Sequence, residues 1–300
     1  MIALAARRIL RPDATLRPGT VMVDGDRIAA VLDDPGADPP DVTLAPGLVD
    51  LQVNGLGEFD VAAGDLSALG LALRDAGTTS WCPTLTSRPL GAYADWFAAL
   101  PARVRLVTLA PELAGALGAI AVLRAAGVVV ALGHSDATYD EARSAADAGA
   151  SLVTHVFNAM APLHHRAPGL AGAALSDPRL TPTVIGDGVH VHPAVLALIL
   201  RTGRAVLVSD AVASAGFALD SGAARRADGT LAGSVITLAD AVAVAVGAGV
   251  PLATALTAAS THPADAIGRP DLGRLVTGAR ADVIALDPAL RVVRSWVAGR

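Results

Sequence analysis

Lysine is missing altogether: the 23 basic side chains of the 300-residue chain are all arginine. That excludes a Schiff-base lysine, a phosphate-loop lysine and a lysine bridging two metal ions. Cysteine is nearly missing, and the lone Cys82 has no partner for an intrachain disulfide, which fits a reducing compartment. Within Trp81-Cys-Pro-Thr84 it reads as a packed core thiol. Aromatic residues make up 3%, the net charge is −5 and no basic run occurs, which argues against a nucleic-acid surface. At the N-terminus the arginines Arg7 and Arg8 follow the apolar residues, the reverse of a secretory signal, so the expected location is cytoplasmic. The longest uncharged stretch, Ala241 to Ala264, is Ala-, Gly-, Thr- and Ser-rich with Pro251 in its middle; it reads as a buried helix pair rather than a membrane span.

What the chain has is apolar material, 53% of its residues, enough for a large core. The first 45 residues read as short strands and turns, with Thr20–Val23, a turn at Asp24-Gly-Asp26, and Arg27–Val31. From Pro46 onward short apolar runs alternate with Ala-rich segments of helical period. The runs are Gly47–Val53, Thr79–Leu85, Val104–Leu109, Val128–Leu132, Ser151–Phe157, Thr183–Ile185 and Ala205–Ser209. Apolar on both faces, they suit a parallel sheet covered by helices. One helix is bounded outright: Thr138-Tyr-Asp-Glu141 is a capping box and Gly149 a terminator. The tail from Gly273 returns to strands and turns. The expected architecture is an α/β (β/α)8 barrel over residues 46–270, one strand short. A small β-sandwich from residues 1–45 and 271–300 stands beside it.

The polar residues cluster at the C-terminal ends of these runs: Gln52 and Asn54, Glu112, His134, His155, Asp187 with His190, and Asp210. That rim is where a barrel places its chemistry. His134 to His155 and His190 to Asp210 are 21 and 20 residues apart, each about one strand-plus-helix unit. Two neutral imidazoles and a carboxylate around one mouth are the materials of a mononuclear hydrolytic zinc-type site. The competing reading is a set of rim histidines that only hydrogen-bond locally.

Several motifs carry a resemblance. Pro46-Gly-Leu-Val-Asp50 through Gly55, Leu132-Gly-His134-Ser135, Thr154-His155-Val-Phe-Asn158-Ala-Met160 and Pro168–Gly172 are followed by Asp187-Gly-Val-His190, Ser209-Asp210-Ala211 and Gly229–Ser234. In that order they resemble the N-acetylglucosamine-6-phosphate deacetylases of the amidohydrolase superfamily, and the tail from Gly273 to Asp282 is similar to that superfamily's C-terminal sandwich strand. The resemblance implies His134 and His155 as ligands of one divalent metal ion, zinc before iron or manganese. It implies Asp210 as general base and then general acid. Asn158, Ala159, Arg166 and His190 would hold the sugar phosphate. Gln52 and Asn54, on the substrate side, stand where binuclear relatives carry His-x-His, which implies one metal rather than two. A homodimer is implied as well. Asn158 also reads as a loop cap, Arg166 as a solvated charge, and His192 as the entry to a helix before Pro193.

The chain departs from that pattern where relatives carry His-x-Glu-Gly-Pro. Trp96–Arg103 runs straight into Val104–Glu112, without the ligand glutamate, a carbonyl-polarising histidine and one strand. A second shortening lies between Asp210 and Gly229. Glu112 is the nearest substitute ligand. Three functions stay open: a metal-dependent deacetylase, poor or inactive without the missing segment; a non-catalytic homologue that still binds a sugar phosphate; and an amidohydrolase for another N-acyl substrate.

Overall fold

Both chain ends enter one sheet. The computed structural model describes residues 1–86 and 104–300. In it β1 (Ile2–Leu10), β2 (Leu16–Asp24), β3 (Arg27–Leu32), β4 (Thr43–Pro46), β17 (Val283–Leu286) and β18 (Val292–Trp296) form a six-stranded sheet. Its order is β18-β17-β4-β1-β2-β3. Gly25, at φ +56°, makes the tight turn between β2 and β3 that a side-chain-bearing residue would adopt only under strain. On one face Ile9, Val21, Ile28, Leu44, Val283 and Trp296 pack against Leu275, Ala279 and Ala281. The 275–281 segment contributes to the layer over that face. The sequence reading also passed over β1, whose Arg7 and Arg8 obscure its alternation.

The chain then builds parallel strands. They are β5 (Leu48–Val53), β8 (Thr78–Pro83), β9 (Leu106–Leu109), β10 (Val129–Leu132), β11 (Leu152–Val153), β12 (Thr181–Ile185) and β13 (Val206–Val208). β9 to β13 form one sheet in chain order, and β5 pairs with β8. The Trp96–Arg103 junction falls among residues 87–103, outside the described residues. Val49, Leu51, Ala131, Leu152, Ile185, Val206 and Val208 pack together on the inner side of the strands. Leu48, Val130, Leu132, Val153, Val184 and Leu207 belong to the larger cluster with the helices. Each such side chain, fully buried, is worth about 1.5–3 kcal/mol.

The helices begin where their caps say. α3 (Tyr139–Ala148) opens on the Thr138/Glu141 capping box and ends at Gly149 with φ +115°. The Ala241–Ala264 stretch is indeed broken: α6 (Leu238–Gly247) stops, Pro251 intervenes, and α7 (Leu252–Ala259) and α8 (Thr261–Ala266) follow. Among the described residues no helix is long and apolar enough to cross a membrane.

β5 and β13 share no strand ladder, and the Asp50 carboxylate stands in for one. Fully buried, it accepts the Ser209 backbone N–H, 3.3 Å from each oxygen, and the Gln52 N–H at 3.2 Å. Burial pushes its pKa up to about 6, against these hydrogen bonds. Above the carboxylate, Asn54 N–H and Gly55 N–H both donate to the Ala211 carbonyl, at 2.7 and 2.9 Å. Asp50→Ala leaves two buried N–H groups without an acceptor. The expected loss is about 2–3 kcal/mol in urea unfolding, with the m-value unchanged; a loss under about 0.5 kcal/mol would show that the seam does not depend on it.

Candidate active site

Parallel register delivers the functional side chains to one rim. Leu132 of β10 lies opposite Val153 of β11, and two residues beyond them stand His134 and His155. Their Nε2 atoms face each other at 3.0 Å, with ring centroids 4.7 Å apart and ring planes at 71°. His155 is buried; that burial, and then the neighbouring His134, push its pKa down to about 4, so the ring is neutral at pH 7. Its Nδ1 is buried without a partner. Gly133 permits the close approach beneath this pair, since a Cβ there would lie 2.9 Å from Thr154 Cβ.

The same rule places the carboxylates. Ile185 of β12 lies opposite Val208 of β13, which brings Asp187 level with Asp210. Asp187 Oδ1 accepts the Val189 and His190 backbone N–H groups at 2.9 Å each, and Oδ2 meets His190 Nδ1 at 2.6 Å. Burial opposes ionisation of Asp187, but His190 and these N–H groups outweigh it and hold the carboxyl below its usual range. Asp210 Oδ1 accepts from Gln52 Nε2 at 2.7 Å and from Asn54 Nδ2 at 2.9 Å. Burial raises its pKa to about 7, opposed by His190 and the two amides. His190 acts electrostatically on both Asp210 and His155.

The backbone is strained here. His134, His155, Phe157, Ala159 and Asp210 all adopt positive φ, from +30° to +75°. Each costs a side-chain-bearing residue about 1–2 kcal/mol, a concentration typical of functional rims. Cross-rim bonds hold them: Ser135 N–H to the Ala159 carbonyl at 3.0 Å, Asn158 N–H to the His155 carbonyl at 3.0 Å, and Ser234 N–H to the Asp210 carbonyl at 3.0 Å.

The other expected residues fall into two groups. Asn158 donates to the His155 and Val156 carbonyls, as a loop cap does, and Ala159 is exposed beside it. Arg166 lies on an exposed loop, its Nη1 2.7 Å from His165 Nε2, and forms no ion pair among the described residues. His192 caps α5 (Pro193–Leu200) by accepting the Ala194 N–H. Glu112 does not join the imidazoles. With Leu109 opposite Leu132, it comes level with Ser135 and accepts Ser135 Oγ–H at 2.6 Å and Asp136 N–H at 2.9 Å. Both its oxygens are engaged in holding the turn after His134. The sequence reading missed Asp50 as a structural clasp; its one signal was a carboxylate inside an otherwise apolar strand.

Parallel strands whose C-terminal ends gather imidazoles and carboxylates form a rim of the kind on which a barrel places its chemistry. The amidohydrolase family matches residues 85–300. An N-acetylgalactosamine-6-phosphate deacetylase of Escherichia coli O157:H7 is 43% identical over 213 residues, 66% of this chain and 56% of its own. The N-acetylglucosamine-6-phosphate deacetylase of Bos taurus is 32% identical over 378 aligned positions, 97% of this chain and 91% of its own. The solved Mycobacterium smegmatis N-acetyl-D-glucosamine-6-phosphate deacetylase, as a variant in complex with N-acetyl-D-glucosamine-6-phosphate, superposes with a TM-score of 0.88 at 34% identity, over 100% of this chain and 98% of that one. The chain therefore belongs to the amidohydrolase family, in its N-acetylglucosamine-6-phosphate deacetylase branch. It spans less than two thirds of the length of the bacterial relatives that head these matches.

The family implies a divalent metal ion. The facing Nε2 atoms of His134 and His155 fit two positions around such an ion, while the Nδ1 of His155 is buried without the hydrogen-bond partner that usually orients a ligand imidazole. No three His, Cys, Asp or Glu side chains group as a metal site among the described residues. Glu112→Ala frees the turn after His134. It should speed amide exchange of residues 134–137 at least tenfold while leaving α3 protected, and unchanged exchange would mean that Glu112 does not hold the turn.

Proposed function

We propose that the chain acts on N-acetylglucosamine 6-phosphate as a deacetylase, releasing glucosamine 6-phosphate and acetate. The observation that carries this reading is Asp210: a half-buried carboxylate, locked through one oxygen, with a pKa of about 7, two residues beyond its strand as the two facing imidazoles are beyond theirs. A base poised near neutrality takes a proton from water and later gives it back. Water adds to the acetyl carbonyl as Asp210 removes its proton. The C–N bond then breaks as Asp210 returns that proton to the sugar nitrogen, leaving acetate and a free amine. His134 and His155 would hold the divalent ion, whose chemistry is to acidify a water and polarise a carbonyl. Arg166, with His165 beside it, offers an exposed cationic fork for the 6-phosphate, and Asn158, Ala159 and His190 would hold the sugar phosphate with it. A cytoplasmic homodimer with zinc, or else iron or manganese, belongs to the same reading.

A second reading, a sugar-phosphate-binding homologue without turnover, is favoured by one observation. Two imidazoles are fewer protein ligands than a catalytic zinc site usually has, and both Glu112 oxygens are engaged elsewhere. Acetate release from N-acetylglucosamine 6-phosphate separates the two, with zinc, manganese or iron supplied. We expect turnover below about 1 s⁻¹, under the usual enzyme range, that is lost on dialysis and restored by the metal. Binding without any acetate release would replace the deacetylase reading with the second one. Activity that does not need the 6-phosphate would point to another N-acyl substrate.

Asp210 must be ionised to act as base, and its raised pKa means that it ionises across about pH 7, so turnover should rise with pH through that value and then level off. Asp210→Asn should lower turnover by about a hundred- to ten-thousandfold, and near-normal turnover would remove Asp210 from the mechanism. Arg166→Ala should weaken binding of the 6-phosphate far more than of unphosphorylated N-acetylglucosamine; equal losses in calorimetry would make Arg166 structural only.

A further inference from the structure

Side-chain amides are as scarce in this chain as lysine. Gln52 is its only glutamine, and Asn54 and Asn158 are its only asparagines. All three stand on the rim, so amide chemistry is confined to the site. Yet their hydrogen bonds differ in kind. Asn158 spends its Nδ2 on the carbonyls of its own loop, whereas Gln52 and Asn54 aim theirs at one carboxylate oxygen.

We propose that Gln52 and Asn54 are positioning residues for Asp210 rather than substrate contacts: together they pin Oδ1 and leave Oδ2 as the oxygen that carries the proton. This rests on Asp210 being the base of the proposed deacetylase. Spacing makes the fork possible, because residues two apart on an extended strand present their side chains to the same side. Val53, between them, packs instead with Val61, Leu69 and Leu73. The backbone beneath the fork is fixed at every step: Gln52 N–H on Asp50, Val53 N–H on Thr84 Oγ1 at 3.1 Å, and Asn54 N–H on the Ala211 carbonyl. Asp50 also holds Ser209, the residue before Asp210. Donors and acceptor are thus tied to one clasp, and Asp210 itself is held at φ +48°.

The other end of Asn54 confirms what orients it. Its Oδ1 is buried with no partner, an arrangement that is costly unless the amide nitrogen is needed where it points. Turning the amide over would set its oxygen against the Asp210 carboxylate. No hydrogen bond among the described residues reaches Asp210 Oδ2, so the two oxygens are chemically distinct. With Oδ1 occupied by two N–H groups, rotation of the carboxylate is stopped and the proton has one address. The donors also favour the ionised form against the cost of burial, keeping the base within reach of neutral pH.

The scarcity of amides supplies the test. The side-chain NH2 region of a ¹⁵N correlation spectrum of the full chain should hold three pairs, assigned with Gln52→Ala and Asn54→Ala. Asp210→Ala should shift the Gln52 and Asn54 pairs and leave that of Asn158. Should that variant fail to fold, Asp210→Asn, which adds a fourth pair, serves instead. Saturating N-acetylglucosamine 6-phosphate should shift Asn158 and leave the other two. In kinetics, Gln52→Ala should lower kcat by about ten- to hundredfold with an unchanged calorimetric Kd for the same sugar phosphate. The proposal is overturned if the Gln52 and Asn54 pairs follow the ligand and ignore Asp210, or if Gln52→Ala raises Kd with kcat unchanged. If the sugar phosphate moves none of the three pairs, the deacetylase reading fails, while the Asp210→Ala comparison still decides the fork.

Discussion

One buried carboxylate closes the seam on which the site stands. Asp50 takes the place of a strand ladder between β5 and β13, and its acceptors are used on Ser209 and Gln52, the neighbours in sequence and in space of Asp210. A charge without water costs several kcal/mol unless hydrogen bonds meet it, and here the bonds are made with backbone that would otherwise itself be unpaired. The penalty of burying Asp50 and that of leaving the seam open thus offset each other. What remains is geometry: a fixed distance between the ends of two strands that share no ladder.

The rest of the rim depends on register. Adjacent parallel strands are offset by a fixed number of residues, so a side chain beyond one strand end meets its counterpart beyond the next. His134 meets His155, Glu112 meets Ser135, and Asp187 comes level with Asp210. Five residues then bend into positive φ at these ends, an outlay of several kcal/mol that the packed strands below must supply. The bonds from Ser135 to Ala159 and from Ser234 to Asp210 hold those bends in place. Rigid strands below and clamped turns above keep the functional groups from relaxing toward easier conformations.

Much of this was legible in the sequence because register leaves a trace in spacing. The 21 residues from His134 to His155 equal the offset at which Leu132 faces Val153, so counting one strand-plus-helix unit found a true contact. The same count from His190 to Asp210 was less apt. The level pair is Asp187 and Asp210, and His190 arrives by a turn closed on Asp187. The capping box before α3 and the break at Pro251 were legible because they are local. That Glu112 holds the turn after His134 was not legible, because its donors are a hydroxyl and a backbone N–H, partners that leave no mark in spacing. Asp50 had only one signal, a carboxylate inside an apolar strand, and that alone does not tell a clasp from a rim carboxylate. The sheet shared by the chain ends was legible, because both ends return to strand-and-turn texture.

The site therefore divides into two halves with different mechanical origins. The imidazole half sits beyond β10 and β11, where ladder hydrogen bonds fix the register directly. The carboxylate half sits on the β5–β13 seam, where a side chain does that work instead. His190, hydrogen-bonded to Asp187, acts electrostatically on both Asp210 and His155. A change in the seam moves Asp210 with its amide fork and leaves His134 and His155 where the ladder puts them, while a change behind His134 does the reverse. Catalysis that needs both halves at once is sensitive to their relative position. That position is carried by β11, β12 and β13 and by the clamp of Asp187 on His190, rather than by any direct hydrogen bond between Asp210 and the imidazoles among the described residues.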